Sequence, residues 1–430
     1  MSNKKLIIIS IDALNAQDFD TIKDLSVFRE FIQHGAYVRQ VSSVYPSVTY
    51  TCHTSIATGQ YPANHQIYNN EIAQPHQATT QDWHWFDRDI KRPSLFDYAR
   101  QNNLSVATLL WPVMGDADVQ WNVPEIWSPN KTVSGFSLFL RHGTKSMLYP
   151  VLRYSRLLKG TEQPYLDNFT HALAKHTLRY KKPDITAIHY TELDAVRHQR
   201  GLHSSEAQQV LIDINQRLSD LISTTKSAGT YEKTNFILLG DHGTHDFQYV
   251  ISINRYLMDL GFISTDTEGT ITHWQAYGCS SGGSCQIHLA KECDNKMRDA
   301  IHQALSQLTA SANSPIKSLM TKEDASETYQ LSGDFQWVLE AENPYVFRND
   351  IMESFLTASK DIPNCYIGDH GYLPDHPDMK TMLFMMGPNI VKASSMAHCS
   401  LVDEGPTFAR LMGLEMEKTD GVVLDSLITV

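Results

Sequence analysis

Carboxylate and imidazole side chains stand at the ends of several short apolar runs in this sequence. The run "KLIIISIDA" leads into Asp12, and "NFILLGDHGTHD" turns at Gly240 into an Asp-His pair. Mixed carboxylate and imidazole ligands are typical of zinc sites, and they also suit manganese. The candidate ligands are Asp12, Asp194, His198, Asp241, His242, Asp369, His370 and His376. Together they predict a divalent metal centre assembled from several parts of the chain.

Each of these features has an ordinary structural explanation when it is taken alone. An Asp-His pair after a strand, as at Asp241 and His242, is commonly a turn or a helix cap. Asp194 and His198 are spaced to share one side of a helical turn, but such a pair is commonly a solvated helix face. His370 alone is explained as a satisfied polar residue. The metal interpretation gains weight because these features follow successive strands, which one fold would bring together.

The elements that must position these residues alternate along the chain. Apolar runs such as "DITAIHYTELD", "LSVATLLW" and "TMLFMMG" predict buried strands. Apolar residues at spacings of three and four predict amphipathic helices over "EAQQVLIDINQRLSDLI" and "NKMRDAIHQALSQL". The alternation indicates an α/β fold with a mostly parallel central sheet and helices on both faces. In such folds ligands bind beyond the carboxyl ends of the strands, where the candidate ligands fall.

The simplest domain organisation is a single catalytic domain over residues 1–430. No internal repeat, low-complexity segment or obvious linker divides the sequence. Residues 113–180 and 250–360 follow the strand–helix alternation least well. We therefore expect these two segments to be insertions that form a cap or a side subdomain.

Composition excludes several classes of protein. The chain has 430 residues, 42% of them hydrophobic, and a net charge of −12, which argues against a nucleic-acid polymer as partner. No apolar stretch is long enough for a membrane span, and "LIIIS" is cut by Asp12 without a small-residue cleavage site, so we expect neither membrane association nor a signal peptide. The six cysteines lack paired metal-site spacing and are expected to be free thiols. A cytoplasmic, enzyme-sized protein is the expectation, and its oligomeric state is unknown.

The passage "YPSVTYTCHTSIATGQYPANHQIYNN", residues 45–70, has an unusual composition. It combines threonines, histidines, prolines and a cysteine, with few apolar residues. The apolar content is too low for a core helix, so we expect chemistry rather than packing to have selected these residues. A hydroxyl in this passage could be a nucleophile only if a metal or a base activates it.

In their order along the chain, these motifs resemble the type I phosphodiesterase/nucleotide pyrophosphatase branch of the alkaline phosphatase superfamily. The family pattern has an Asp after the first strand and a threonine within "YP…T…H…ATG.YP..H.I". It continues with Asp-x-x-x-His, Asp-His-Gly and His-Gly-Tyr elements. The counterparts here are Asp12, "YPSVTYTCHTSIATGQYPANHQI", "DAVRH", "DHG" and "HGY". The resemblance extends from "IIISIDAL" through "TMLFMMGPNI" and implies an alkaline-phosphatase-like fold.

The resemblance implies that Thr49 is the nucleophile and that two divalent metal ions are bound, most simply zinc, with manganese as the alternative. One ion would be held by Asp194, His198 and His370. The other would be held by Asp12, Thr49, Asp241 and His242. The resemblance further assigns the shaping of the nucleophile loop and the following helix to His53, Tyr61, Pro62 and His65. His245 is expected to support the site or the structure without binding metal.

Three positions bear on the substrate. Cys52 stands where the family usually has an asparagine that helps to hold a phosphate oxygen, and a thiol is a weaker donor than an amide. Arg197 stands where a glycine usually precedes the ligand histidine. Its guanidinium could bind a phosphate or a substrate carboxylate, or it could point outward and pair with a surface acid. Tyr50 could stack on a nucleotide base, or it could be packed in the interior.

The resemblance implies a metal-dependent hydrolase that cleaves phosphodiester or pyrophosphate bonds of nucleotides or similar small phosphodiesters through a phosphothreonine intermediate. A phosphonate hydrolase and a phosphomonoesterase are alternatives on the same scaffold. We expect a preference for diesters, because the other residues with which family phosphomonoesterases bind the extra charge are not evident. A sulfatase is disfavoured, since Thr49 cannot supply the modifiable Cys or Ser of that class. The complete ligand set argues against a catalytically silent metal-binding protein.

Overall fold

The structure is a computed structural model that describes residues 4–77 and 80–430. The strands in these ranges are β1 (Lys5–Ile11), β2 (Ala36–Ser42), β3 (Val106–Leu109), β4 (Trp121–Val123), β5 (Ile185–Tyr190), β6 (Thr234–Leu239), β7 (His245–Asp246), β8 (Tyr249–Ile251), β9 (Ile263–Thr265), β10 (Ile271–Trp274), β11 (Ala276–Ser280), β12 (Ser284–Leu289), β13 (Ile316–Thr321), β14 (Trp337–Ala341), β15 (Tyr345–Phe347), β16 (Leu356–Ala358), β17 (Gly368–Asp369), β18 (Thr381–Met386) and β19 (Ser394–Ser400).

The helices are α1 (Phe19–Ile22), α2 (Ser26–His34), α3 (Thr49–Thr58), α4 (Pro62–His65), α5 (Leu95–Gln101), α6 (Gly135–His142), α7 (Leu148–Tyr154), α8 (Tyr165–His176), α9 (Glu192–Arg200), α10 (Ser205–Ala228), α11 (Ile253–Asp259), α12 (Asn295–Ala310), α13 (Lys322–Tyr329) and α14 (Glu404–Leu411). None of the helices in the described ranges is long and apolar enough to cross a membrane.

The central sheet has eight strands in the order β19-β2-β18-β6-β1-β5-β3-β4. Strands β6, β1, β5, β3 and β4 are mutually parallel, whereas β18 runs antiparallel to its neighbours β6 and β2. The expected mostly parallel sheet is therefore confirmed, with one reversed strand. Because β1, β5 and β6 lie side by side, the loops at their carboxyl ends meet at one edge of the sheet.

Helices cover both faces of this sheet, as expected. Successive residues of a strand point to opposite faces, and in β1 Leu6 and Ile8 join one buried cluster while Ile7 and Ile9 join another. The first cluster includes residues of α3, α5 and α14, and the second includes residues of α2, α8 and α10. Since both faces of β1 are apolar, this strand is a continuous buried run rather than an alternating one.

The amphipathic helices lie where their periodicity predicted them. In α10 the predicted apolar face is buried, and Ser204 caps the first turn by accepting the Ala207 N–H at 3.2 Å. The helix ends at Gly229, which has a φ of 71° and so adopts the left-handed conformation that glycine tolerates. Ile301 and Leu305 of α12 are buried in a separate apolar cluster.

The expectation that residues 45–70 hold no core helix is wrong. Helix α3 occupies Thr49–Thr58 within this passage, and every one of its residues is buried. Buried hydroxyls in a helix are stabilised when they donate to the carbonyl four residues earlier. Thr54 donates to the Tyr50 carbonyl at 2.7 Å, and Thr58 donates to the Thr54 carbonyl at 2.7 Å. Two of its hydroxyls are thus satisfied by the helix itself, and Ser55 Oγ lies 2.8 Å from His65 Nε2, so most of this polar helix can be buried.

Additional sheets lie outside the central one. Strands β11, β12, β14 and β13 form an antiparallel sheet over a third apolar cluster, and all four belong to residues 250–360. This sheet is an insertion relative to the strand–helix alternation. Residues 113–180 contain β4, which is the edge strand of the central sheet, together with α6, α7 and α8.

Candidate active site and metal centre

Thr49 is the first residue of α3, after Val48, whose backbone is extended. Its side chain is buried, and its Oγ1 lies 3.1 Å from His242 Nε2. His242 Nδ1 lies 3.0 Å from the Gly243 carbonyl, which can only accept a hydrogen bond, so Nδ1 carries the proton. The Thr49 hydroxyl therefore donates to a free lone pair of His242. The amino end of a helix also favours negative charge, which suits an oxygen that becomes a nucleophile.

Asp12, Asp241 and His242 converge from two neighbouring parallel strands. Asp12 directly follows β1, and Gly240 separates Asp241 from the end of β6. His242 Nε2 lies 3.3 Å from Asp12 Oδ1 and 3.4 Å from Asp241 Oδ2. One donor atom from each residue lies within 4.8 Å of the others, which is a spacing that one metal ion can bridge. With Thr49, these three residues make up one of the two ligand sets that the family resemblance implies.

The second predicted set is also brought together. Asp194 and His198 both lie on α9, where His198 Nε2 is 3.3 Å from Asp194 Oδ2. His370 follows β17, and its Nε2 is 3.9 Å from Asp194 Oδ1. The two sets are contiguous, because the rings of His242 and His370 stack with centroids 4.0 Å apart. All seven predicted ligand positions therefore form one cluster.

The residues fit a pair of divalent cations. Buried polar atoms nearly always find a partner, because an unpaired one is costly. Among the described residues, Asp12 Oδ1, Asp194 Oδ1 and Asp241 Oδ2 are buried without a hydrogen-bond partner. His198 Nδ1 donates to the Gly368 carbonyl at 2.7 Å, which leaves Nε2 free as a ligand. Unpartnered carboxylate oxygens beside free imidazole nitrogens are the donor set that zinc binds.

The pKa values of the predicted ligands also bear on metal binding. Burial lowers the pKa of His242 to about 4 and that of His370 to about 3, so both imidazoles are neutral at pH 7, as metal ligands must be. Burial also raises the pKa of Asp241 to about 6 and raises that of Asp12, which lies beside Asp241. Burial opposes a charged His198, but the Asp194 carboxylate raises its pKa to about 9, so a metal ion bound at Nε2 would have to displace a proton. The raised pKa values of Asp12 and Asp241 mean that a bound cation would stabilise their ionised forms.

Arg197 lies neither at a phosphate site nor on the surface. Its side chain is 1% exposed, and its Nη2 lies 2.5 Å from Asp18 Oδ1 in a buried ion pair. Its Nη1 donates to the carbonyl of Ala13, the residue after Asp12. Both alternatives considered from the sequence are therefore wrong for Arg197 in this structure. Arg197, which belongs to α9, therefore connects this helix to the loop after β1 and does not form part of a phosphate-binding site.

Tyr50 and Cys52 are both fully buried. The Tyr50 ring packs in an apolar cluster with Ile67, Trp85 and Val113, which matches the packing interpretation rather than base stacking. Cys52 Sγ lies 3.1 Å from Ser43 Oγ within the core between α3 and the sheet. The thiol therefore does not stand where it could hold a phosphate oxygen.

Asn70 lies beside the candidate nucleophile, although sequence reasoning overlooked it. Its Oδ1 accepts the N–H of Tyr50, the residue after Thr49, at 2.9 Å, which uses the carbonyl side of the amide and leaves the NH2 group as the potential donor. The paired asparagines at the end of the 45–70 passage were the available signal. Their distance from Thr49 in sequence hid the contact.

His189 and Glu125 also lie at the site, although the sequence did not predict either of them. His189 lies on β5 next to β1, with Nε2 3.2 Å from Asp12 Oδ2 and Nδ1 3.0 Å from Glu125 Oε2. A histidine held between two carboxylates orients both of them. The signal was a histidine inside an otherwise apolar strand that pairs with the strand leading into Asp12.

The remaining histidines near the site have structural contacts. His53 Nδ1 donates to the Thr49 carbonyl at 2.8 Å, and His65 Nε2 lies 2.8 Å from Ser55 Oγ, so both hold α3 in place. His53 also approaches Asp241 Oδ2 at 3.4 Å. His245 lies outside the seven-residue cluster, with Nδ1 2.6 Å from Asp378 Oδ2.

Comparisons with known proteins point in one direction. The sequence model of the family described as "Type I phosphodiesterase / nucleotide pyrophosphatase" matches residues 6–373. The chain is 23% identical to the Bos taurus "Bis(5'-adenosyl)-triphosphatase ENPP4" over 433 residues, which cover 98% of this chain and 80% of that protein.

Solved structures show the same fold. Human ectonucleotide pyrophosphatase / phosphodiesterase 5 aligns with a TM-score of 0.69 and 17% identity, over 99% of this chain and 100% of that one. An inactive form of the murine protein, in complex with AMP, aligns with a TM-score of 0.68 and 17% identity over the same shares.

Proposed function

The chain belongs to the type I phosphodiesterase/nucleotide pyrophosphatase family, and from that premise we propose that it hydrolyses phosphodiester or pyrophosphate bonds of nucleotides with Thr49 as the nucleophile. The family assignment makes the chain a hydrolase of phosphoric esters. The roles of individual residues and the choice of nucleotides as substrates are the proposal. The relative named for bis(5'-adenosyl) triphosphate and the neighbour solved with AMP support nucleotides as the substrate class.

One observation carries the proposal. The hydroxyl of Thr49, at the amino end of α3, lies 3.1 Å from His242, which belongs to a cluster of buried carboxylates and imidazoles. A threonine hydroxyl becomes a nucleophile only when a neighbouring group withdraws its proton. Divalent cations bound by this cluster would lower the pKa of the Thr49 hydroxyl and so favour its ionised form.

We assign the cluster to two metal ions. Asp12, Thr49, Asp241 and His242 would hold one, and Asp194, His198 and His370 would hold the other. When bound, two such ions supply Lewis acidity that activates the Thr49 hydroxyl and a water molecule and that offsets charge on the phosphoryl oxygens. The carboxylate and imidazole donors favour zinc, with manganese as the alternative.

The residues of the chain then carry out a two-step displacement. Thr49 Oγ1 forms a bond to phosphorus as the bond to the leaving oxygen breaks, and the hydroxyl proton is recovered on the leaving group. Water then attacks the esterified Thr49, which restores the hydroxyl and releases the second product. We assign to the Asn70 NH2 group the role of donating to a phosphoryl oxygen, since Asn70 Oδ1 is bonded to the Tyr50 N–H, and the amino end of α3 favours the negative charge that develops there.

Diesters remain the proposed substrates in preference to monoesters. A monoester carries one more negative charge, which requires an additional cation at the non-bridging oxygens. Arg197, the candidate considered for this charge, is occupied by Asp18 and the Ala13 carbonyl. The Thr49 environment thus gives the phosphomonoesterase and phosphonate alternatives no specific support.

A cytoplasmic location also stays a proposal. All six cysteines are free, which suits a reducing compartment.

The test compares metal content with turnover. We expect about two zinc equivalents per chain, faster hydrolysis of bis(p-nitrophenyl) phosphate than of p-nitrophenyl phosphate, and complete loss of both activities on chelation, with recovery when zinc is returned. A protein that contains no transition metal, and that zinc or manganese does not activate, would contradict the proposal. Full metal loading without turnover of either ester would indicate a binding protein instead.

A further inference from the structure

A line of ring contacts leads from the candidate nucleophile to the protein surface. Thr49 contacts His242 at 3.1 Å, and the His242 and His370 ring centroids are 4.0 Å apart. The His370 and His198 centroids are 5.2 Å apart, and the His198 and Tyr366 centroids are 4.9 Å apart. In an in-line displacement the leaving group departs away from the nucleophile. Tyr366 is the outermost ring of this series of contacts, and it lies against His198 of the Asp194/His198/His370 set.

Tyr366 is an exposed aromatic residue in an unusual place. The residue is 42% exposed, although its ring packs beside His198. The backbone around it is fixed, because Ile367 donates its N–H to the His198 carbonyl at 2.9 Å and His198 Nδ1 donates to the Gly368 carbonyl at 2.7 Å. An exposed aromatic ring on a fixed backbone is suited to stacking with another aromatic group.

Arg348 provides positive charge next to this ring. Its guanidinium carbon lies 5.4 Å from the Tyr366 centroid, and its Nη2 lies 3.2 Å from Asp369 Oδ2. The ion pair with Asp369 engages one nitrogen of a group that has five N–H donors, so donors remain for a phosphate. The side chain of Arg348 is 29% exposed and therefore accessible to a ligand.

The segment that carries Arg348 also borders the nucleophile side of the site. Asn349 Nδ2 donates to Glu71 Oε2 at 2.6 Å, and Glu71 follows Asn70, whose side chain contacts the Tyr50 backbone. The N–H of Arg348 donates to the Ile251 carbonyl at 3.1 Å, which anchors the segment. Arg348 is thus placed at the rim between Asn70 and the Asp194/His198/His370 set.

We propose that Tyr366 and Arg348 form a leaving-group subsite that binds a nucleoside phosphate, with the base stacked on the Tyr366 ring and a phosphate paired with the Arg348 guanidinium. The inference rests on the proposed function, because it takes Thr49 as the attacking group. Because two imidazole rings separate Tyr366 from His242, we expect only a leaving group that extends beyond the first phosphate to reach the Tyr366 ring. The subsite therefore selects dinucleoside polyphosphates over esters with small leaving groups.

Paired substrates test the subsite. The first is diadenosine triphosphate, and the second is the p-nitrophenyl ester of thymidine 5′-monophosphate, whose leaving group ends at the first phosphate. Tyr366→Ala should lower kcat/KM for the dinucleotide roughly tenfold more than for the nitrophenyl ester, as the loss of one stacked base predicts. Tyr149→Ala removes a tyrosine that is 63% exposed on α7 and should leave the ratio of the two kcat/KM values unchanged.

Arg348 requires a second measurement, since it also contacts Asp369. Both Arg348→Ala and Arg348→Lys should raise the inhibition constant of ADP, and the Ala variant should raise it more. The metal content of both variants should stay at the wild-type level. Arg255→Ala, which removes an arginine paired with Asp259 on the surface, is the matched control.

Equal losses on both substrates in Tyr366→Ala would overturn the subsite and leave only a structural role for the ring. A wild-type preference for p-nitrophenyl phosphate that collapses in Arg348→Ala would also overturn it, because Arg348 would then bind the terminal phosphate of a monoester. If the wild-type protein turns over neither nucleotide substrate, the proposed function fails. In that case calorimetry with ADP decides the subsite, since weaker binding by Tyr366→Ala than by Tyr149→Ala supports it and equal binding overturns it.

Discussion

The loop after β1 is held in place by hydrogen bonds from several individual residues. Ala13 has a φ of 62°, an unfavourable value for an alanine that the surrounding contacts must maintain. Its N–H donates to Asp241 Oδ1 at 3.1 Å, and its carbonyl accepts a hydrogen bond from Arg197. Because Ala13 directly follows Asp12, these contacts fix the position of a candidate ligand. The arginine that replaces the usual glycine is therefore a support for the metal cluster.

Removal of the Arg197 side chain should destabilise the fold. Arg197→Ala leaves Asp18 buried without its partner, and breaking a buried pair in this way typically costs about 3–5 kcal/mol. Denaturant unfolding measures the change in the free energy of unfolding. Adding Asp18→Asn to Arg197→Ala should recover part of the loss, since the unpaired charge disappears.

Arg255→Ala is the matched control for this prediction. Its ion pair with Asp259 joins two partly exposed side chains of one helical turn, so its loss should change stability by roughly 0.5 kcal/mol or less. If Arg197→Ala has the same free energy of unfolding as the wild type, the buried ion pair does not contribute to the stability of the fold.

Helix α3 is the element that presents Thr49, and it depends on packing rather than on helix propensity. Threonine and β-branched residues are poor helix formers, so the sequence of α3 does not favour a helix by itself. Its position between the central sheet and α14 stabilises it, with side-chain hydroxyls donating along the helix. The helix begins directly at Thr49 and ends at Gly59, whose φ of 65° stops it. Any change inside this helix is therefore a change to the core.

Cys52→Asn tests this description of α3. The family resemblance implies that an asparagine at this position would help to hold a phosphate oxygen, which a thiol would do less well. The structure leads to the opposite expectation, because the thiol is fully buried against Ser43. A larger amide without adequate partners should lower the free energy of unfolding by about 1–3 kcal/mol.

Thermal or denaturant unfolding checks this expectation, with Cys293→Asn as the control at a partly exposed cysteine. A Cys52→Asn protein of unchanged stability and raised kcat/KM would contradict this expectation and would indicate that residue 52 contacts the phosphate of the substrate.

At the scale of the whole molecule, two layers of structure meet around the site. Glu340 of β14, in the antiparallel sheet, accepts hydrogen bonds from the Tyr45 hydroxyl and from the Leu373 N–H, each at 2.9 Å. Tyr45 precedes α3, and Leu373 follows His370 in the chain. The inserted sheet thus supports both the nucleophile loop and a candidate ligand loop. Its position explains how residues 250–360 contribute to the site without supplying any of its seven predicted ligands.

The sequence was sufficient for the parts of the molecule that follow from local pattern and from one topological rule. Buried runs predicted β1, β5 and β6, and the meeting of parallel strand ends predicted that Asp12 and Asp241 approach each other. The burial of α3 could not be predicted, because its polar composition is compensated only by its surroundings. The pair of Arg197 with Asp18 joins residues far apart in sequence, and the contact of Tyr366 with His198 depends on loop packing. Such contacts require the folded chain.

The most direct test of the central claim is to identify the residue that becomes esterified during turnover. Metal-loaded protein should be mixed with a dinucleotide labelled at phosphorus, quenched in acid within one turnover, digested and analysed by mass spectrometry. We predict that the label is on the peptide containing Thr49 and that Thr49→Ala carries none, with kcat reduced by several orders of magnitude at unchanged fold and similar metal content. Label on another residue, or turnover of Thr49→Ala within about tenfold of wild type, would contradict the account.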